Sequence, residues 1–518
     1  MRDYVSILLL FFSLSIQSQT VGLILNSEES LNGYTLFSPN NSNTTYLINN
    51  CGEIINTWES DYKPGLSVYL LDNGNLLRTK RVIEGSSFTG GGIGGGIEEF
   101  NWEGDLIWEY NYADNLVHQH HDIEPLPNGN ILILAWEKKS NLEAENMGAI
   151  NLNTEEIWPE HIIELEKNGN TIVWEWHSWD HIIQDSDINL PNFGNISENP
   201  QRININYNKP IYTPNGSLSP NNGNGDWMHA NSIDYNDELD QIIISLKRWD
   251  EIWIIDHSTT TEEAQNSSGG IYGKGGDLLY RWGNPETYNQ GTLNTKKLWG
   301  QHDVRWIDKK YPDGGKIMIF NNGSGGRDYS SIDIINPPID ENGNYEINEN
   351  GIYGPNILDW TFTKDNPYDF YSDHISGSHR LKNGNTMICS GTNGYFFEIN
   401  PLGDIVWEYI NPVSNTGIIS QGETILKDQN SVFRCTRYSE DYPAFENQLI
   451  ETNGFVELNP IDYMCDIYNN INSIEYNNLQ EKKLIKKMDI LGKQVLNSNN
   501  NLIFYIYNDG TVSKKIQF

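Results

Sequence analysis

Histidine carries the chemical signal of this sequence. Its eleven copies fall in short clusters beside aromatic or acidic residues: His118, His120 and His121-Asp122; Trp176-His177-Ser178-Trp179-Asp180-His181; Asp226-Trp227-Met228-His229-Ala230-Asn231; Asp256-His257; Gln301-His302-Asp303; and His374 with His379, His161 standing alone. Imidazole titrates near neutrality, so it suits nucleophilic and acid–base work. Several imidazoles with one guanidinium would also hold an anionic group by charge-assisted hydrogen bonds. Arg327, in Asn321-Asn322-Gly323-Ser324-Gly325-Gly326-Arg327, is the candidate guanidinium, because it follows an apolar strand in a loop that could aim it inward. For any one histidine a structural bond to a backbone carbonyl is the ordinary role, and His118 and His161 are assigned to it. His120 and His121 are poor joint metal ligands, since neighbours on a strand point to opposite faces, and no metal is expected.

Other chemistries are disfavoured. No G-x-x-x-x-G-K-[ST] sequence occurs; the nearest stretch, residues 269–276 with Lys274, lacks the hydroxyl residue after the lysine. The glycine run at residues 90–96 has no helix pattern behind it and reads as a flexible loop. There is no G-x-S-x-G elbow. Lys and Arg number 34 against 70 Asp and Glu, a formal charge of −36, so nucleic acid is not an expected partner. An anionic substrate would need a locally cationic pocket. The four cysteines, Cys51, Cys389, Cys435 and Cys465, include no C-x-x-C pair; one or two disulfides would fit an exported protein, with the pairing open.

The elements that position these residues are strands. Trp, Tyr, Gly and Asn are frequent, and long helical patterns of Ala, Leu, Glu and Lys are missing. Two units recur. One is Asn-Gly-Asn before an apolar run, at Asn73-Gly74-Asn75, Asn128-Gly129-Asn130 and Asn383-Gly384-Asn385, which predicts hairpins. The other is Gly-acid-apolar-apolar with a following aromatic, seen at Gly52, Gly104, Gly276 and Gly403, the aromatics being Trp58, Trp108, Trp282 and Trp407, with related copies ending in Trp174 and Trp360. Five to seven such units predict an all-β propeller whose inner strands face a central channel. A large sandwich or two stacked β-domains is the alternative. The histidine clusters fall near the starts of repeats, so they are expected to converge at one end of the channel.

The chain's ends differ from its body. Arg2, an apolar run at residues 5–14 and small polar residues to Ser18 read as a signal peptide over residues 1–19. No other segment approaches a membrane span. The propeller is expected over residues 20–460, with a first part that could add a strand. From about Asp466 the chain is rich in Asn and Lys, and it resembles the small β-sandwich that is the sorting domain of type IX secretion, here residues 466–518.

Four segments resemble the aryl-sulfate sulfotransferases: Trp174 to Asp185, Asp226 to Asn236, Glu251 to Thr261, and Gln301-His302-Asp303, within a likeness running from about Asn50 to Glu451. The resemblance implies a six-bladed propeller that moves a sulfuryl group from an aryl sulfate to a phenol without a nucleotide donor or other cofactor. It implies a ping-pong reaction through a sulfated histidine. By order and context it places His229 and His302 as supporting imidazoles, Arg327 as the guanidinium and His379 as the nucleophile, with His374 nearby as the other late histidine. His121, His181, His257 and Trp227 are the expected substrate-binding residues. The implied partners are the aryl sulfate, the phenol and the type IX machinery of a secreted or cell-surface protein; association with a second copy is left open. A non-catalytic extracellular binding module on the same scaffold is the competing reading.

Overall fold

The computed structural model describes residues 19–207 except 151 and 153, 211–212, 218–219, 225–460 except 341–342, and in the C-terminal region 465, 484–488, 493, 501–507 and 512–517. The expected signal peptide lies outside the described residues save its last position. The chain divides into two compact units, Met1–Ile461 and Asp462–Phe518. In the second, Leu484–Met488, Asn501–Tyr507 and Val512–Gln517 form a three-stranded antiparallel sheet.

The first unit is a six-bladed β-propeller. Its blades, taken from inner to outer strand, begin with Val432–Ser439, Pro64–Leu70, Val117–Pro125, Ala230–Asn236, His302–Trp306 and Gly377–Arg380. Each inner strand neighbours the next around the ring. The ring is closed by chain ends from both sides: Val432–Ser439 pairs with Gly33–Pro39 to complete blade 1, and Gly22–Asn26 adds a fifth strand to blade 6 beside Ile405–Ile410. Blades 2 to 5 hold residues 64–111, 117–177, 230–282 and 302–362 in sequence order.

Both sequence repeats are turns. In blade 2 the Leu71 carbonyl accepts from Gly74 N and the Leu71 amide donates to Asn75 O, and the same pair of bonds recurs at Leu126 and at Leu381. Only the glycine has positive φ (87°, 86° and 91° for Gly74, Gly129 and Gly384), so these are three-residue hairpins with glycine in the left-handed position rather than two-residue Asn-Gly turns. The Gly-acid unit builds the same turn between the third and fourth strands at Asn49, Asn101 and Asn400. Its tryptophans therefore mark outer strands, one per blade: Trp58, Trp108, Trp174, Trp282, Trp360 and Trp407. Several stitch blades together. Trp407 Nε1 donates to Asn50 O, Trp58 Nε1 to Asn101 O and Trp108 Nε1 to Asn170 Oδ1, each in the outer turn of the next blade.

Apolar residues fill the spaces between blades, and the channel is filled by charge. Arg434 donates to Asp122 Oδ2 at 2.7 Å and to Asp303 Oδ1 at 3.1 Å, and its other nitrogen bonds Asp122 Oδ1 and Tyr69 Oη. Blades 1, 2, 3 and 5 thus meet at one guanidinium. Asp303 also accepts from Arg305 and from the Ser378 amide. A charge this deep is tolerated only because it is fully paired.

Candidate active site

Backbone distortion re-aims the inner strands at the end where they begin. His121, His229 and Asp303 have φ of 53°, 57° and 49°, and Ile375 and Ser376 have φ of 49° and 89°. Register shifts accompany them in blades 3, 4 and 5. Left-handed backbone is costly for these residue types and survives where the surroundings fix it, which is where functional sites are built.

The consequence is a histidine cluster above the Arg434 network. The rings of His121 and His229 stand edge to face with centroids 4.7 Å apart. His302 and Lys247 are close enough to depress the basicity of His121, after burial, which is the larger cause. His302 likewise responds to burial first, then to Lys247, His229 and His374. Lys247, in the turn after Gln241–Leu246, lowers the basicity of all three rings, with Arg248 adding to its effect on His229, and its amide donates to His229 O at 3.0 Å. Sequence reasoning missed it, since one lysine among 34 basic residues carries no motif.

Two of these rings, His229 and His302, have assignable tautomers. His229 Nδ1 donates to Asp226 Oδ2 at 2.6 Å, which leaves Nε2 for the site. Burial works against the Asp226 carboxylate, yet His229 and Arg248 hold it at about 2. Asn322 donates to Ser372 O and Ile375 O, so its oxygen faces His302 and must accept from His302 Nδ1 at 2.8 Å. His302 Nε2 then accepts the Ile375 amide at 3.1 Å. Both nitrogens of His302 are therefore engaged in holding the loop that carries His374.

His374 is the late histidine at this end. Its Nδ1 donates to Asp373 Oδ1 at 2.8 Å, and Asp373 Oδ2 accepts from Lys427 Nζ at 2.9 Å. The bond to His374 is the main reason the Asp373 carboxyl is held far below the usual range. The side chain is 44% exposed, so Nε2 is an accessible lone pair on an oriented ring.

His379 is elsewhere. His302 opens its strand and Arg305 and Trp306 close it, roughly 10–13 Å further along at strand rise. His379 lines a cavity at that far end with Arg305, Trp306, Arg380 and Arg437, below the Arg434 network. Its Nε2 accepts the Arg437 amide at 3.0 Å, and burial lowers it to about 3. The expected meeting of His379 with His229 and His302 does not occur, because the strand carries it past the channel's ion layer.

Four other expected residues also stand apart. The Arg327 guanidinium donates to Tyr329 O, Asn321 O and Ser331 Oγ and lies over the Tyr329 ring, folded back on its own loop. His181 is bonded at both nitrogens, to Asp277 and to Ala264 O. His257 bridges Asp240 and Glu164. Trp227 is 5% exposed, packs against Trp249 and donates to Tyr207 O. Of the expected substrate-binding residues only His121 lies in the cluster. Among the described residues no group of three or more His, Cys, Asp or Glu side chains is arranged to hold a metal, and no helix is long and apolar enough to cross a membrane.

The glycine run is the cluster's cover. The Gly92 carbonyl accepts the His121 amide at 2.8 Å, a methyl group on Gly92 would overlap the His121 ring, and one on Gly91 would lie 3.4 Å from His229 Cε1. Close approach to imidazole accounts for Gly92, whereas Gly90 is pressed against Trp136 and Gly94 against Gln119. An accessible, oriented imidazole beside neutral imidazoles and a lysine, roofed by backbone, is equipped to receive an anionic group and to exchange protons with its neighbours.

A model of the Arylsulfotransferase (ASST) family matches residues 17–441. Over 320 residues the chain is 24% identical to the arylsulfate sulfotransferase AssT of Escherichia coli O6:H1, covering 58% of this chain and 50% of that protein. The chain thus spans half the length of this curated relative. Among solved structures it resembles a protein of unknown function from Bacteroides caccae (TM-score 0.41, 11% identity, 79% of this chain and 99% of that one) and virginiamycin B lyase from Staphylococcus aureus (TM-score 0.35, 11% identity, 77% and 87%).

Proposed function

Starting from the fact that this chain belongs to the arylsulfotransferase family, we propose that it transfers a sulfuryl group from an aryl sulfate to a phenol, without a nucleotide donor, through a sulfated His374. The observation that carries the assignment to His374 is the bond from Ile375 N to His302 Nε2, which seats His374 beside the histidine cluster. Exposure of the ring and the Asp373 bond at Nδ1 support Nε2 as the attacking atom.

In this mechanism His374 Nε2 attacks sulfur, and the S–O bond to the aryl oxygen breaks. Lys247 offsets charge on the sulfuryl oxygens. The aryl oxygen leaves with the S–O electron pair, and His229, whose Nδ1 proton is bonded to Asp226, keeps a neutral ring beside His121. The second half-reaction returns the sulfuryl group to a new phenol, and the N–S electron pair goes back to His374. The far-end His379 takes no part. Export is part of the same reading: the N-terminal sequence suits a signal peptide and the C-terminal residues suit type IX sorting, so the substrates are met outside the cytoplasm.

The test is transfer from 4-nitrophenyl sulfate to phenol by the full chain, followed by peptide mass spectrometry of enzyme quenched with donor alone. Sulfation on the peptide carrying His374 is the expected result. A protein that never releases 4-nitrophenolate would refute the transferase, and sulfation at His379 or His229 would refute the assignment.

A further inference from the structure

His120 and His121 do not point to opposite faces of their strand. The left-handed backbone at His121 breaks the alternation, and the two rings meet with Nδ1 to Nδ1 at 2.9 Å. On its other side His120 Nε2 lies 2.8 Å from Glu160 Oε2, while Glu160 Oε1 accepts the Ala230 amide at 2.8 Å. His120 and Glu160 are 0% exposed and His121 is 3% exposed. The His120 ring is fixed against Trp136, nearly parallel at 4.0 Å between centroids. The result is an unbroken chain from His121, in the cluster, to a fully buried carboxyl. His121 Nε2 takes no hydrogen bond from the described residues.

Only one proton fits between two facing ring nitrogens, which links the three groups. With Glu160 ionised, His120 donates to it through Nε2, so His121 must supply the proton between the rings and its own Nε2 is a base. With Glu160 protonated, the order reverses throughout, and His121 Nε2 carries a proton. The two arrangements differ by one proton, and neither puts charge on a ring.

Resting on the transferase reading above, we propose that Glu160, His120 and His121 are a proton relay that deprotonates the acceptor phenol and stores its proton on Glu160. The phenol O–H proton passes to His121 Nε2, the His121 Nδ1 proton to His120 Nδ1, and the His120 Nε2 proton to Glu160 Oε2. The phenolate oxygen bonds sulfur as the bond from sulfur to His374 breaks. His121 is the catalytic end; His120 and Glu160 act through it. The groups facing the relay suit neutral rings: His229, His302 and Lys247 face His121, Asp226, His118 and His161 face His120, and Asp226 and His229 face Glu160. Burial drives Glu160 well above the usual carboxylate range and His120 down to about 3, so the carboxyl holds a proton at rest. The first half-reaction draws that proton out through His120 and His121 Nε2 to the departing aryl oxygen, leaving Glu160 ionised, and the acceptor phenol's proton then replaces it.

Glu160→Gln preserves both hydrogen bonds, its amide NH₂ donating to His120 Nε2, and locks His121 Nε2 in the protonated form. The expected result is a fall of about 10²–10⁴-fold in transfer to phenol, with the burst of 4-nitrophenolate intact because that leaving group needs no acid. The rate should also depend more steeply on acceptor acidity in the variant. Wild-type transfer rates with wild-type acidity dependence would overturn the relay. A measurement on the unaltered enzyme guards against a misfolded variant: the acceptor half-reaction in mixtures of light and heavy water should give a curved proton inventory, and a straight line would overturn the relay. Absence of the burst in the wild type would instead refute the transferase, and the relay with it.

Discussion

Ile375 donates its backbone amide to Nε2 of His302 at 3.1 Å, although Ile375 itself sits at a φ of 49°. A ring from blade 5 thereby holds a strained loop entering blade 6 in one position. His302 is better understood as the support of the His374 loop than as an acid or base, since its other nitrogen is engaged with Asn322. Replacing Asn322 with Ala removes the acceptor that sets the His302 tautomer and the donor to Ser372 and Ile375. We expect kcat to fall about 10²-fold with KM little changed, as for misplacement of a reacting group, measured by steady-state kinetics.

The two late histidines should separate sharply. His374→Ala is expected to remove at least about 10³-fold of activity through loss of the nucleophile. His379→Gln, at the far end of the channel, should keep activity within about tenfold. Parallel assays with 4-nitrophenyl sulfate check both.

Gly92 combines a φ of +77° with contact against the His121 ring. Gly92→Ala should therefore lower kcat/KM by about 10²-fold by displacing the ring, while thermal unfolding shifts by only a few degrees. A variant with normal kinetics would show that the glycine loop does not cover the working site.

Arg434 is 3% exposed and binds Asp122 and Asp303 from two other blades. Arg434→Met leaves buried Asp122 without its cation and Asp303 with Arg305 alone, which should cost about 3–5 kcal/mol. Urea unfolding of the propeller reads this directly.

Each buried histidine with a lowered value should contribute stability that acid removes. Burial depresses His118 to about 4 and His120, His161 and His379 to about 3, and also lowers His121, His229 and His302, whereas only His177 and His257 are raised. A folded value below the unfolded value of about 6.5 means the unfolded chain binds more protons, so stability present above about pH 6.5 is lost as pH falls toward the folded values. His177 and His257 have the opposite sign, and so do the buried carboxyls of Glu124, Glu160, Asp234 and Glu457, whose raised values make the folded chain the stronger proton binder over the same window, so the histidine part is read from a single variant. Urea unfolding of the wild type and of His379→Gln between pH 7 and pH 5 should show the variant losing less stability with acid, by a slope of about one proton.

Much of the scaffold was legible in the sequence because turns and outer strands are local. Glycine at a positive-φ turn and a tryptophan a few residues later depend on near neighbours, and the copies at Gly52, Gly104 and Gly403 build that turn as a unit, whereas Gly276 does not. The histidine motifs were equally visible, and the rings of His121 and His229 stand together. What the sequence could not settle is depth along the channel. His374 and His379 are five residues apart, yet the strand places one at the mouth and the other beyond a buried ion layer. Arg327 shows the same limit: a loop's position after a strand does not reveal that its guanidinium is consumed by carbonyls of the same loop. Lys247 had no motif to announce it, and the contact between His120 and His121 contradicts strand alternation because one residue adopts left-handed backbone. Residue chemistry and local turns are written in the chain; which groups share a cavity is decided by packing six blades around one axis, where distortions of a single residue turn side chains toward or away from the centre.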